Sequence, residues 1–293
     1  MQALIHHKIN LGLHVIEKLP SGYHALETVF YPCHNYEDTI EITPDSEFSF
    51  TLKNADFTCD TEQNLCVKAF RLLQTRYDLP PVNITLTKQI PSGAGLGGGS
   101  ADAAFTLRML NALFSLQLSN QQLHEFAAQL GSDTAFFLSN EPMYATGRGE
   151  ILRPVAIDLS KYSIEIVCPN IAISTAQAYS AITPKKPKHS LQQIITSPIE
   201  TWKELLVNDF EEVIFKQHPQ LLEIKNEFYR RGALYASMSG SGGAVYGIFP
   251  ILFPTNCPHA AATSFPLLCR TFTIKFLDSK CATNTAFFSG VEG

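Results

Sequence analysis

The chain has no Cys-x-x-Cys pair, no cluster of basic residues and no apolar run of membrane length. Its seven cysteines (Cys33, Cys59, Cys66, Cys168, Cys257, Cys269, Cys281) are scattered and odd in number. That spacing argues against both a zinc site and a disulfide framework, and leaves reduced, mostly buried thiols as the expectation. The nine histidines show no metal-ligand spacing. His6 and His7 are adjacent on what reads as a strand, so their side chains are expected on opposite faces. No apolar run approaches the ~20 residues that a membrane-spanning helix requires, so no membrane partner is expected. With 22 Lys and Arg against 27 Asp and Glu, the net charge of −5 gives no electrostatic case for nucleic acid. Lys185, Lys186 and Lys188 stand among prolines and read as a solvated loop. The lysine-bearing strand around Lys8 begins almost at Met1, so no signal sequence and a cytoplasmic location are expected. A length of 293 residues with 45% hydrophobic content suits one large or two medium domains with an ordinary core.

Glycine is what the chain does have, and it is concentrated. Five glycines fall within seven positions, at Gly93, Gly95, Gly97, Gly98 and Gly99. Before them Val82, Ile84 and Leu86 alternate with Asn83, Thr85 and Thr87, the period of a strand buried on one face. After them Ala103, Ala104, Leu107, Leu110, Leu113 and Phe114 recur at helical spacing, with Ser100 expected as the N-cap. A strand, a loop without side chains and a helix N-terminus form an anion site, because bare N–H groups and the helix dipole both favour phosphate. A simple turn needs one or two glycines, not five.

Two common phosphate loops do not fit. Gly93-x-Gly95-x-x-Gly98 matches the dinucleotide fingerprint literally, but its strand alternates instead of running continuously apolar. The acidic residue expected about 20 positions later is also missing. A Walker loop needs lysine before Ser100, where the chain has Gly99.

Elsewhere, strands are expected at 5–15, 23–31, 39–43 and 48–52, and helices at 64–74, from Ser100 onward and at 119–130, the last ending at Gly131. Two more strands end near Pro169. Mainly helical sequence follows from Thr175 to Gly232, then 234–236, a second glycine cluster and a strand at 244–249. One strand, 270–277, is expected in the Pro- and Phe-rich tail. Irregular mixing of strands and helices indicates an α+β fold. On the first strand Lys8, Asn10, Gly12 and His14 share one face, with Ile9, Leu11, Leu13 and Val15 on the other. Asp133, just after a helix stop, suits a helix N-cap.

The loop Pro91-Ser-Gly-Ala-Gly-Leu-Gly-Gly-Gly-Ser-Ala-Asp-Ala-Ala104 resembles the second motif of the GHMP kinase superfamily. His7-Lys-Ile-Asn-Leu-Gly-Leu-His14 resembles its first motif and Met238-Ser-Gly-Ser-Gly-Gly-Ala-Val245 its third. The resemblance implies a two-domain fold, divided as 1–159 and 160–293, with the active site in the cleft between domains. It implies that Pro91, Ser92, Gly93, Ala94, Gly95, Leu96, Gly97, Gly98, Gly99, Ser100 and Ala101 wrap the triphosphate of ATP. Asn64 and Lys88 are implied near the nucleotide, and Mg2+ is expected because it neutralises β- and γ-phosphate oxygens. No direct metal ligand is assigned, although Ser100 is a candidate contact.

Lys8 and Asp133 are implied as the catalytic pair, the aspartate as base and the lysine keeping it ionised. Thr134 and Ala135 replace the family's usual Val-Pro. Pro20-Ser-Gly-Tyr-His-Ala-Leu-Glu-Thr-Val-Phe30 resembles the signature of the 4-diphosphocytidyl-2-C-methyl-D-erythritol kinases. That family implies a cytidine diphosphate-linked acceptor, with Asn10, Tyr23, His24, Thr175 and Tyr179 around it, in a monomer or weak homodimer. Gly147-Arg-Gly-Glu150 and Asn208-Asp-Phe-Glu211 also match, so the resemblance covers residues 1 to about 249. Two alternatives stay open: another GHMP kinase of homoserine or mevalonate type, and a nucleotide-binding regulator without catalysis.

Overall fold

The computed structural model describes residues 1–251, except 56, 58 and 172, together with the strand Thr273–Leu277. The first half contains, in chain order, β1 (Gln2–Lys18), β2 (His24–Pro44), β3 (Ser49–Lys53), α1 (Leu65–Tyr77), β4 (Val82–Thr87), α2 (Gly98–Leu113), α3 (Asn120–Leu130), β5 (Met143–Thr146) and β6 (Ile151–Pro154). Its sheet runs β3-β4-β2-β5-β6, with β1 also pairing antiparallel to β2. The second half contains β7 (Tyr162–Pro169), five helices α4 (Thr175–Ala181), α5 (Leu191–Ile195), α6 (Trp202–Leu205), α7 (Phe210–Gln217) and α8 (Pro219–Arg230), then β8 (Tyr235–Met238), β9 (Val245–Pro250) and β10 (Thr273–Leu277). Its sheet runs β10-β7-β9-β8. The chain passes from one sheet to the other between Pro154 and Tyr162. This is the α+β architecture expected.

The alternation read in β4 is the one observed: Val82, Ile84 and Leu86 are buried, and the residues between them are half-buried. They pack with Ile40, Ile42, Phe70, Leu73, Leu107 and Leu110 into the core between the first sheet and its helices. A second core joins Ile164, Ile166, Trp202, Tyr235, Tyr246 and Ile248. Of the cysteines among the described residues, Cys33, Cys66 and Cys168 are buried and Cys59 is exposed, all as free thiols. Cys257, Cys269 and Cys281 lie outside the described residues, as do 270–272 of the expected last strand.

The structure differs from expectation in four places. The strands expected at 23–31 and 39–43 are one strand, because β1 is long enough to pair along nearly all of β2. Pairing jumps from Ile5↔Asp38 to His7↔Cys33, so residues 34–37 form the irregularity. The second difference is at Gly12 in β1. Pairing shifts between Leu11 and Leu13, making a bulge whose extra residue, Gly12, sits at φ +67°. After the bulge Leu13, not His14, lines the same cavity as Lys8 and Asn10. Third, both faces of this strand are covered: residues 5–15 are all buried, so the polar face of Lys8 and Asn10 is interior. Finally, β5, which the sequence reading passed over, completes the first sheet beside β2.

Two interior histidines give this half an acid sensitivity. His6 packs among His34, Phe105 and Phe137, and burial with the nearby His34 pushes its pKa down to about 3. The Nδ1–H of His7 donates to the Tyr36 carbonyl at 3.0 Å, and burial pushes its pKa down to about 4. The unfolded chain therefore binds more protons than the native state below the ordinary histidine pKa of about 6.5. Stability is full above that pH and falls as pH drops toward 4, by up to about 1.4 kcal/mol per pH unit for each histidine. Thermal melts between pH 7.5 and 5 should show the fall, and a His6→Gln/His7→Gln variant should flatten it.

Candidate active site

The site forms where β1, the glycine loop and the second glycine cluster meet. The loop's helix starts earlier than expected. α2 begins at Gly98 with Gly97 as N-cap, and Ser100 lies inside the first turn, where its hydroxyl lines the cleft. The glycines at 97–99 allow the chain to enter the helix without a side-chain cap, leaving the first-turn N–H groups to an anion. Gly98 itself has ordinary backbone geometry; a Cβ there would crowd Ile90 at 3.0 Å and the Lys88 Nζ at 3.3 Å.

Gly95 is needed for a different reason. It sits at φ +77°, and a Cβ would overlap the Ser239 carbonyl oxygen. The two glycine clusters thus touch backbone to backbone. Lys8 N–H donates to the Leu96 carbonyl at 3.0 Å, and Ala244 N–H to the Ala94 carbonyl at 3.0 Å. The Gly95 carbonyl accepts from both the Ser239 hydroxyl at 2.8 Å and the Lys8 Nζ at 3.0 Å. Asn208 ties the far side, donating to the carbonyls of Met238 at 2.8 Å and Gly240 at 2.9 Å.

Lys8 is the centre of this arrangement. Its Nζ donates to Asn10 Oδ1 at 2.6 Å, pairs with Asp133 Oδ2 at 3.3 Å and lies 5.0 Å from the Phe30 ring centre. Burial lowers its pKa, and the Asp133 carboxylate opposes that shift. Asn10 is fixed in turn, because its Nδ2 donates to Thr28 Oγ1 at 3.0 Å. Asp133 stands at the N-cap position of a short 3-10 turn, Thr134–Leu138, as expected, but its side chain makes no capping hydrogen bond and is free for the cleft. Its carboxylate is 29% exposed and faces the cleft. A carboxylate open to a substrate and a buried ammonium behind it are the parts of a proton-accepting pair.

A cavity of about 290 Å³ opens over this pair, lined by Lys8, Asn10, Gly93, Gly95, Gly97, Ser100 and Asp133 among others. A second, of about 680 Å³, continues outward along Lys18, Tyr23, His24, Gln129 and Tyr179. Thr175, at the start of α4, lines both, and its hydroxyl lies 3.1 Å from that of Ser241 in the second glycine cluster. Tyr23 is 58% exposed, so it does not cap the core. His24 and Tyr179 stack on each other with ring centres 5.0 Å apart, closing the gap between these two rings.

The two residues expected at the nucleotide do other work. Asn64 is the N-cap of α1, accepting from Cys66 N–H at 2.9 Å. Lys88 is buried beneath the loop, where its ammonium is bound to Asp38 and to Asp102 Oδ2. Asp38 also accepts the N–H groups of Gln89 and Ile90, so this network fixes the entry to the glycine loop. Opposed by burial, the two carboxylates still raise the Lys88 pKa. Sequence reading did not single out Thr28, Phe30 or Ser239. Thr28 and Phe30 lie inside the quoted signature Pro20–Phe30 and Ser239 inside the quoted third motif, but nothing in either pattern marks these three residues as partners of Lys8 and Asn10.

A family model for the N-terminal domain of GHMP kinases matches residues 64–141, and one for their C-terminal domain matches residues 190–251. A 4-diphosphocytidyl-2-C-methyl-D-erythritol kinase of Bacteroides fragilis is 51% identical over 246 residues, covering 83% of this chain and 89% of that protein. The chain belongs to this kinase family. A relative of the same name from Cytophaga hutchinsonii is 41% identical over 264 residues, covering 89% of this chain and 97% of that protein. A crystal structure of a 4-(cytidine 5'-diphospho)-2C-methyl-D-erythritol kinase superposes with a TM-score of 0.71 at 30% identity, covering 85% of this chain and 90% of that one. The chain is thus an ATP-dependent small-molecule kinase of the GHMP fold, and the cleft holding Lys8 and Asp133 is its candidate active site. Among the described residues, no helix is long and apolar enough to cross a membrane.

Proposed function

We propose that the chain transfers the γ-phosphoryl group of ATP to the 2-hydroxyl of 4-diphosphocytidyl-2-C-methyl-D-erythritol, in the non-mevalonate route to isoprenoid precursors. The observation that carries the reading is the Lys8–Asp133 pair at 3.3 Å, set between the glycine loop and the aromatic outer cavity. The backbone N–H groups at the start of α2 hold the triphosphate. Asp133 orients the acceptor hydroxyl and accepts its proton as the new P–O bond forms. Lys8 keeps Asp133 ionised and stabilises charge on the moving phosphoryl group. Tyr23, His24 and Tyr179 take the cytosine, with stacking worth about 1–3 kcal/mol per aromatic face by analogy with single-stranded nucleic acid.

Mg2+ fits this cleft as an ion carried mainly by phosphate. Among the described residues, no three His, Cys, Asp or Glu side chains are grouped to hold a metal. Mg2+ characteristically relies on substrate phosphates plus one or two protein oxygens. Ser100 Oγ and the Asp133 carboxylate are the cleft oxygens that suit it, and the ion would neutralise the β- and γ-phosphates. The same reading takes 1–159 and 160–293 as the two domains of a cytoplasmic enzyme, monomeric or weakly dimeric.

The test is a coupled ADP-release assay with each candidate acceptor. Release is expected with the cytidine diphosphate-linked erythritol and near background with mevalonate or homoserine. A preference for either of those, or ADP release independent of any acceptor, overturns the assignment.

A further inference from the structure

The two cavities share five lining residues, Gly131, Ser132, Arg148, Thr175 and Tyr179. If the base lies outside and the reacting hydroxyl lies at Asp133, whatever joins them passes this neck. Arg148 is the only cation among the five. It stands at the tip of the turn between β5 and β6, and that turn is fastened to the site. Leu26 N–H donates to the Gly147 carbonyl at 2.7 Å, and Gly149 N–H to the Thr146 carbonyl at 3.1 Å. On the other side, a Cβ built at Gly149 would lie 3.4 Å from Asp133 Oδ1. The arginine backbone is therefore anchored one residue from the proposed base.

The side chain is aimed as well as anchored. Nε donates to Glu150 Oε1 at 3.3 Å, and the guanidinium carbon lies 5.0 Å from the Tyr23 ring centre. The Nη groups donate to no described residue, and the side chain is 38% exposed. Glu150 and Tyr23 thus hold the planar group by its Nε edge and one face. The opposite edge stays available for an oxyanion, the fork geometry that suits phosphate. Lys8 lines only the inner cavity and Lys18 only the outer one, so neither stands at the neck.

We propose that Arg148 binds the diphosphate of the acceptor, assisted by the Thr175 hydroxyl, and so selects diphosphate-linked acceptors over uncharged or phosphate-free alcohols. The inference rests on the function proposed above, and deepens it by naming a specificity residue outside the Lys8–Asp133 pair. A bound diphosphate places two negative charges at the neck, where one arginine with a free edge forms a two-point contact that a lysine cannot reproduce.

The experiment compares wild type, Arg148→Met and Arg148→Lys by calorimetry with cytidine, CMP and CDP, and by steady-state kinetics. Wild type should bind CDP at least tenfold more tightly than cytidine, and Arg148→Met should lose most of that ratio while its cytidine affinity is unchanged. In kinetics the acceptor KM should rise at least tenfold in Arg148→Met, with the ATP KM within about twofold, and Arg148→Lys should recover only part of the loss. A CDP-to-cytidine ratio equal in wild type and Arg148→Met overturns the arginine's role, even if wild type turns over the erythritol acceptor normally. Failure of wild type to turn over that acceptor overturns the proposed function. In that case a CDP preference that depends on Arg148 still supports a diphosphate site at the neck.

Discussion

Replacing Asp133 by asparagine should lower turnover by roughly 10²–10⁴-fold, the range for losing a general base, with both substrate affinities near wild type. Some stability should be lost as well, because the buried Lys8 ammonium loses its counter-charge. The Asp133 side chain makes no capping hydrogen bond, so the change removes none, and its carboxylate is partly open to the cleft. Asparagine keeps the size and can still accept a hydrogen bond, but it cannot take a proton. Lys8→Met should also lower turnover, and should cost some stability too, because the Lys8 Nζ serves both Asn10 and the Gly95 carbonyl. If the pair acts as a unit, the double variant should be little slower than the poorer single one. A different outcome has a clear meaning. Phosphoryl-transfer transition states are often loose, and proton removal is then not required early. Asp133→Asn with most of its turnover and a normal acceptor KM would reduce the aspartate to an orienting group.

Lys88→Met should destabilise the protein by about 3–5 kcal/mol at neutral pH, the cost of removing one partner of a buried ion cluster. The lysine is 6% exposed and bridges Asp38 and Asp102, each at most 5% exposed. Without it two buried carboxylates face each other. Burial already pushes the Asp102 carboxyl above its usual range, against the pull of Lys88. In the variant the Asp102 carboxyl, having lost the opposing ammonium, should be raised further, so the native state binds more protons than the unfolded chain. The sign follows for the difference: as pH falls from 7.5 toward 5 the variant should lose less stability than wild type, because its buried carboxyl takes up a proton in the native state while both proteins keep the unfavourable contribution of His6 and His7. Urea unfolding at the two pH values separates these trends. A variant of normal stability with selectively weakened ATP binding would instead make Lys88 a nucleotide contact, as the sequence alone suggested.

Much of this protein can be read from local pattern. The β4–loop–α2 unit was legible because strand period, glycine density and helix period change over within about thirty residues. Lys8 and Asn10 were legible as a pair because a period-2 strand puts both on one face. What could not be read was where that pattern is interrupted. The Gly12 bulge moves His14 out of the cavity and Leu13 into it, and nothing in Leu-Gly-Leu marks an extra residue in the pairing. Lys88 looked like a surface or nucleotide-facing lysine because its partners, Asp38 and Asp102, are far from it in sequence and only the fold brings them together. The contact between His24 and Tyr179 joins residues of opposite halves for the same reason.

The strand β1 belongs to both halves of the molecule. Its edge pairs with β2 of the first sheet, while its Asn10 carbonyl accepts from the Tyr246 hydroxyl at 2.7 Å and its Asn10 N–H donates to Ser239 Oγ at 3.2 Å. Leu13 is bound across to the second half as well, its N–H donating to the Val207 carbonyl at 2.9 Å. Any opening of the cleft must therefore turn about this strand, as a door turns about its pin. Points near a pin sweep the smallest arcs. Lys8 sits on this axis, so turning about it leaves the contact of Lys8 Nζ with the Gly95 carbonyl in place, whereas Thr175 and Tyr179, on α4 of the second half, turn with that half. The cleft can thus admit and release a long acceptor at its outer end without disturbing the charge that phosphoryl transfer needs at its inner one.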